Sequence, residues 1–322
     1  MAVPAIRTSR LTKDYGFGRG LFDLDLEVAA QQVFGFLGPN GAGKTTTIRC
    51  VMGMIRPTSG SAHVFGIDCM RDSVEVKRKV GYLPGDMPQF GGMRGREVVA
   101  YLGGMRGGFD RKRVHNLAAR LDLDLGRRYR EYSSGNRRKL GLVLAFMHSP
   151  ELLILDEPTS GLDPLIQQEF QSMLHEARDD GATVFLSSHV LSEVEHVCDR
   201  VGILRAGRLV KVGGLEELHG IRWRHIEVEF AAGARIPEEA IRALSGVSDV
   251  ESNGTTLTCV VHGTMERFLE VLRSAHVTNL VSHEPSLEEV FLEYYRDDGG
   301  TPPPNLPPEG GRNGDDDLPL LP

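Results

Sequence analysis

The segment GPNGAGKTT, Gly38 to Thr46, places three glycines, one lysine and two threonines within nine consecutive residues. That mixture suits a phosphate chain. Glycines let the backbone bend so that successive N–H groups point inward at a helix N-terminus. Lys44 supplies a point charge for the β- and γ-phosphates, and Thr45 offers a hydroxyl to Mg²⁺. Pro39, Asn40, Gly41, Ala42, Gly43 and Thr46 complete the pattern G-x-x-x-x-G-K-[ST] with its flank. Downstream, ELLILDEP (Glu151 to Pro158) is an apolar run that ends in two acids. Asp156 is placed to hold Mg²⁺, directly or through water, and Glu157 to polarise an attacking water. Together the two segments predict a nucleoside triphosphate site.

A second segment, YSSGNRRKL (Tyr132 to Leu140), is a small-residue turn opening a basic helix. Such a turn also presents N–H groups to an anion, so the chain carries two anion-binding patterns. A plain helix cap by Ser133 or Ser134 uses the same geometry. His189, closing FLSSH, is either a structural histidine at a strand end or a donor to the γ-phosphate.

These residues need elements to position them. QQVFGFLGP, PELLILDEP and GATVFLSSH each read as a buried strand ending in polar residues, separated by longer amphipathic stretches. That alternation predicts an α/β sheet core over residues 1–220, with chemistry at the carboxyl ends of its strands. VGILRAGRLVKVGG reads as a closing hairpin that turns at Ala206-Gly207. A second unit, 221–296, reads strand–helix–strand–strand–helix–strand, with a turn at Asn253-Gly254 and a final helix SLEEVFLEYY. This is the order of a ferredoxin-like α+β domain. The Pro-, Gly- and Asp-rich residues 297–322 cannot bury a core and are expected to be disordered. The terminal LPLLP is either a docking peptide or part of a solvated tail.

The formal net charge is −7 over 322 residues. Six acids against Arg312 alone fall from Asp297 onward, so the remaining body is nearly neutral. A near-neutral body argues against an extended nucleic-acid footprint. Cys50, Cys69, Cys198 and Cys259 are scattered without metal-ligand spacing, as expected of reduced thiols in the cytosol. The opening MAVPAIRTSRLTKDYG lacks a signal-peptide run. No apolar stretch approaches the roughly 20 residues of a membrane span.

In this order the motifs resemble those of the ATP-binding cassette ATPases over about the first two-thirds of the chain. GPNGAGKTT resembles the family's phosphate loop, YSSGNRRKL its signature, ILDEP its magnesium strand and SGLD (Ser160 to Asp163) its dimer-seam loop. His189 resembles the switch histidine, and Tyr15 in LTKDYG the aromatic that stacks on adenine. The resemblance implies a P-loop NTPase cassette with a helical subdomain, and two domains paired head to tail. Ser133 and Gly135 would then act on ATP held by the partner's cradle, which accounts for the second anion pattern. Two departures stand out. Ser134 and Asn136 replace the usual Gly and Gln, and Gly85 in VGYLPGDMPQF stands where the family has Gln or an acid. Asp86 and Gln89 lie nearby, and neither is assigned that role.

The expectation is therefore the ATP-hydrolysing subunit of a transporter, with Glu157 as base and with Lys44 and His189 in the catalytic set. ATP and Mg²⁺ would be the cofactors. The partners would be a second such subunit, expected as a homodimer, and a separately encoded permease that holds the protein at the cytoplasmic face of the cell membrane. HEPSLEEVFLEYY resembles the closing segment of exporter subunits for drugs, lipids or polysaccharides. The alternatives are a soluble cassette acting on nucleic acid or ribosomes, and a non-hydrolysing nucleotide sensor. An intact Glu157 speaks against the sensor.

Overall fold

The chain opens with β1 (Ile6–Asp14) and β2 (Gly20–Val28), an antiparallel pair that extends through β4 (Ser59–Val64) to β5 (Ile67–Asp68). In β2, Leu21, Leu24, Leu26 and Val28 point inward and alternate with exposed Asp and Glu, as one-sided burial requires. This sheet went unread in the sequence. The computed structural model describes residues 3–215, 223–273 and 275–283. The predicted closing helix SLEEVFLEYY and residues 297–322 lie outside the described residues.

The predicted core sheet has six strands in the order β10-β9-β3-β8-β7-β6. They are β3 (Val33–Leu37), β6 (Val80–Leu83), β7 (Leu152–Asp156), β8 (Thr183–Ser188), β9 (Arg200–Arg205) and β10 (Arg208–Gly214). All but β10 run parallel, so their carboxyl ends share one edge. β10 returns antiparallel through Ala206 and Gly207, both at positive φ, as the hairpin reading expected. Every residue of β3, β7 and β8 is buried, the condition of a sheet covered on both faces. One face packs on the antiparallel sheet and α1 (Lys44–Val51) through Phe34, Phe36, Ile48 and Phe185. Phe34 and Phe185 stack with centroids 5.9 Å apart. After α2 (Ser73–Lys79), which leads into β6, the opposite core gathers α3 (Gly95–Met105), α4 (Arg111–Arg120), α5 (Ser134–Phe146) and α6 (Pro164–Asp179).

The later unit has β11 (Trp223–Phe230), β12 (Val247–Asn253), β13 (Thr256–His262) and β14 (Val277–His283), with short helices Glu238–Arg242 and Glu266–Leu272. The strands are antiparallel in the order β12-β13-β11-β14, which is the ferredoxin-like arrangement the element order implied. Its core, with Ile226, Val228, Leu257 and Phe268, is its own. The hairpin turn differs by one residue from the reading. Asn253 pairs with Thr256, so Gly254 at φ 64 takes the first central position and Thr255 the second. All four cysteines are free and buried. Burial pushes the Cys50 and Cys259 thiols up to about 11 and Cys69 to about 12, so they stay protonated and inert.

Candidate nucleotide site

The loop Gly38–Gly43 joins β3 to α1 at the shared carboxyl edge, so the first turn of α1 leaves its N–H groups facing the loop's concavity. Gly43, just before Lys44, has φ 110, a left-handed value that costs glycine little. Lys44 is buried, and its Nζ donates to the Gly38 carbonyl at 2.5 Å and to the Pro39 carbonyl at 3.3 Å. The ammonium is thereby fixed at the mouth of the loop.

β7 delivers Asp156 beside that loop because β8 alone separates β3 from β7. Asp156 is fully buried and doubly held. The Thr45 hydroxyl donates to Oδ2 at 2.8 Å, and the Ser187 hydroxyl of β8 donates to Oδ1 at 2.6 Å. Hydroxyl and carboxylate oxygens placed together are the hard donors a small divalent cation takes. Ser187 was missed in the sequence, although its position opposite Asp156 in the parallel register is where such a partner belongs.

Glu157 turns out of the strand at φ 52, an uncommon value for a non-glycine residue. Its N–H is held there by the Ser187 carbonyl and hydroxyl, each at 3.2 Å. The carboxylate consequently points between two cationic or donor groups. Lys44 Nζ lies 3.2 Å from Oε1, and His189 Nδ1 lies 2.6 Å from Oε2. Since a carboxylate only accepts, Nδ1 donates this bond. Glu157 thus touches both of the other residues expected to be catalytic.

A cavity of about 430 Å³ runs along this edge, lined by Tyr15, Pro39, Asn40, Gly41, Gly43, Lys44, Thr45, Thr46 and Glu157. Gly18, Arg19, Gly20 and Ala206 line it too and were not anticipated. They come from the β1–β2 turn and the β9–β10 turn. Tyr15 is exposed there, with Lys13 Nζ 5.4 Å from its ring centroid. Ala42 is buried beneath the loop. Ser133 and Gly135 do not line this cavity. They sit at the N-terminus of α5, where the Ser133 hydroxyl accepts from Asn136 N at 3.2 Å.

Gly85 follows β6 at the same edge. A Cβ there would stand 3.0 Å from Asp156 Oδ2, so the Asp156 carboxylate occupies the space a longer residue would use. Asp86 and Gln89 are both exposed.

A glycine loop with a buried lysine, facing an acid pair at the end of a neighbouring parallel strand, defines a P-loop nucleoside triphosphatase. The family model described as ABC transporter matches residues 21–160. Over 310 residues the chain is 34% identical to the daunorubicin resistance ATP-binding protein DrrA3 of Streptomyces coeruleorubidus, covering 92% of this chain and 98% of that one. It is 35% identical over 230 residues to the bacitracin transport ATP-binding protein BcrA of Bacillus licheniformis, covering 70% of this chain and 75% of that one. The solved structure of an ATP-binding subunit of an ABC transporter is similar with TM-score 0.61 and 27% identity, over 67% of this chain and 92% of that chain. The chain belongs to the ATP-binding proteins of ABC transporters. It is an ATP-binding, ATP-hydrolysing subunit of the exporter type, as the resemblance implied. The soluble, nucleic-acid or ribosome-directed alternative finds no support in these relatives.

Proposed function

We propose that two copies of this chain pair head to tail and enclose two ATP molecules. Each ATP would be held by the cradle of one copy and the signature, Ser133 to Gly135, of the other. The observation that carries the reading is the separation of the two anion patterns. Within one chain the cradle cavity is lined by Lys44 and its loop, and neither Ser133 nor Gly135 is among the residues that line it.

In this reading Tyr15 stacks on the adenine and the Gly38–Thr46 loop wraps the phosphates. Lys44 neutralises charge building on the γ-phosphate. Glu157 accepts a proton from the attacking water, and His189 holds the carboxylate through Nδ1. Thr45 and Asp156 would hold Mg²⁺, which when bound would neutralise charge on the phosphates. Among the described residues no helix is long and apolar enough to cross a membrane, so a separately encoded permease would hold the protein at the cytoplasmic face. The match to a resistance protein across nine-tenths of the chain, including the later unit, favours export as the direction. The same reading divides the chain into a cassette at 1–220, an accessory domain at 221–296 and a tail at 297–322.

The test is concentration. Turnover per chain, measured at saturating Mg-ATP, is expected to rise as the chain is concentrated and then level off as dimers fill. Turnover per chain that stays constant from nanomolar to micromolar protein, with a single-chain mass throughout, would overturn the reading.

A second expectation concerns Gly85. Gly85→Ala pushes a methyl group against Asp156 Oδ2 at 3.0 Å. The Mg²⁺ concentration for half-maximal turnover should rise, by about 10-fold for each 1.4 kcal/mol of lost metal affinity, while metal-free nucleotide binding is unchanged. A titration of turnover against Mg²⁺ reads this directly, and an unmoved midpoint would show that the carboxylate yields without cost.

A further inference from the structure

Arg138 lies in the basic run of YSSGNRRKL, yet its side chain is buried. Its guanidinium donates from Nη1 to the Pro84 carbonyl at 2.6 Å and from Nη2 to the Gly85 carbonyl at 2.9 Å. A longer contact, 3.5 Å, reaches the Asp156 carbonyl at the end of β7. No carboxylate forms an ion pair with it among the described residues. Burial lowers its pKa from the ordinary arginine value, and Asp156, Glu157 and Asp86 oppose that by charge. An arginine held in this way by two consecutive carbonyls uses its planar fork, with the two donors fixed relative to each other, to hold a backbone more rigidly than the single ammonium of a lysine.

The place of that fork matters. Arg138 is about 7 Å along the axis of α5 from Ser133, which caps the helix that would face the partner's ATP. Pro84 and Gly85 form the loop beside Asp156 in the chain's own cradle. One turn further along α5, Gly141 lets the helix approach Leu83 and Met87 so closely that a Cβ would stand 2.4 Å from Leu83 Cδ1. At its other end, Gly135 abuts the Gly161 carbonyl, and Lys139 Nζ reaches Asp163 at 3.8 Å. One helix, α5, therefore links Ser133 and Gly135 at its N-terminus to the loop beside Asp156.

We propose that Arg138 is a positioning residue that couples the two composite ATP sites. A γ-phosphate of the partner's nucleotide seats on the N-terminus of α5. The seated helix, through Arg138, fixes the Pro84–Gly85 loop and with it the Asp156 end of β7 in its own cradle. This rests on the head-to-tail reading above. With Gly85 bearing no side chain, the loop contacts the site through its backbone, and a fork on that backbone is the connection available to it.

The experiment measures turnover against Mg-ATP concentration for wild type, Arg138→Lys and Arg138→Met. Binding of trinitrophenyl-ATP to each chain at dilutions below dimerisation is measured alongside, with thermal unfolding of each. Wild type is expected to show a Hill coefficient approaching about two, the number of coupled sites. Arg138→Met should bring it to about one and lower saturated turnover about tenfold, with single-chain nucleotide affinity within about twofold of wild type. Arg138→Lys, which keeps charge and folds more readily, should lose cooperativity to a lesser degree. Cooperativity equal to wild type in Arg138→Lys and in folded Arg138→Met would overturn the Arg138 assignment alone. A wild-type Hill coefficient of one with no ATP-dependent dimer would instead remove the head-to-tail reading beneath it.

Discussion

Glu157→Gln is expected to lower ATP turnover by about a hundred- to ten-thousand-fold, the range a positioned general base contributes, while ATP binding persists. The substitution is nearly isosteric, so the unusual backbone at φ 52 stays held by Ser187. What it removes is the group able to take a proton from water. The amide also withdraws the negative charge that now faces Lys44 at 3.2 Å, which leaves the lysine wholly available to phosphate. Nucleotide affinity should therefore hold or rise. With hydrolysis blocked, the ATP-bound pair has no route to opening and should accumulate as a dimer on a sizing column. Turnover within about fivefold of wild type, measured by phosphate release, would place the base elsewhere. His189 would then be the first residue to examine, because its ring already touches the Glu157 carboxylate.

How much of this was legible before the structure follows from which contacts are local. The cradle is contiguous, and its glycines and lysine act through backbone geometry that neighbouring residues dictate, so the sequence carried it whole. Asp156 and Glu157 were legible because a strand buried on both faces leaves polar residues only at its end. The βαββαβ unit was legible because each of its elements keeps its own period. The first antiparallel sheet was missed although LFDLDLEV alternates strictly over Leu24 to Val28, a signal available to any reader of period two.

Other features were not local. Ser187 meets Asp156 only through the β7–β8 register, and Arg19 and Ala206 reach the cavity from turns far apart in the chain. Arg138 was the hardest. A run of Asn-Arg-Arg-Lys on a helix reads as a solvated face, and Arg137 and Arg138 differ only in direction around the helix. Whether a cation lies over a ring, as Arg137 does over Tyr129, or reaches a backbone fork is decided by what packs there, here the loop after β6. Sequence located the chemistry, while tertiary packing determined how its parts are linked.

Lys44→Ala and Gly135→Asp should each abolish turnover alone and restore part of it when mixed. Lys44→Ala removes the one buried cation of the cradle, whose Nζ is preset on the Gly38 carbonyl. Loss of one preorganised charge donor costs about a hundred- to a thousand-fold. Gly135→Asp acts on the other half. Any Cβ at 135 would stand 2.6 Å from the Gly161 carbonyl, so the signature must shift from the seam loop, and the new carboxylate repels a γ-phosphate. In a homodimer of either variant both pockets carry the defect. In a mixed dimer the two defects fall in the same pocket, because a cradle from one copy always meets a signature from the other. The remaining pocket is intact. With random pairing, half the dimers carry one working pocket of two, so about a quarter of wild-type turnover is the upper expectation for independent pockets, and strong coupling lowers it. The mixture should also show more ATP-dependent dimer than either variant shows alone, a readout that does not require turnover. If mixing restores neither activity nor dimer, each pocket belongs to a single chain, and the anion pattern at Ser133 is only a helix cap.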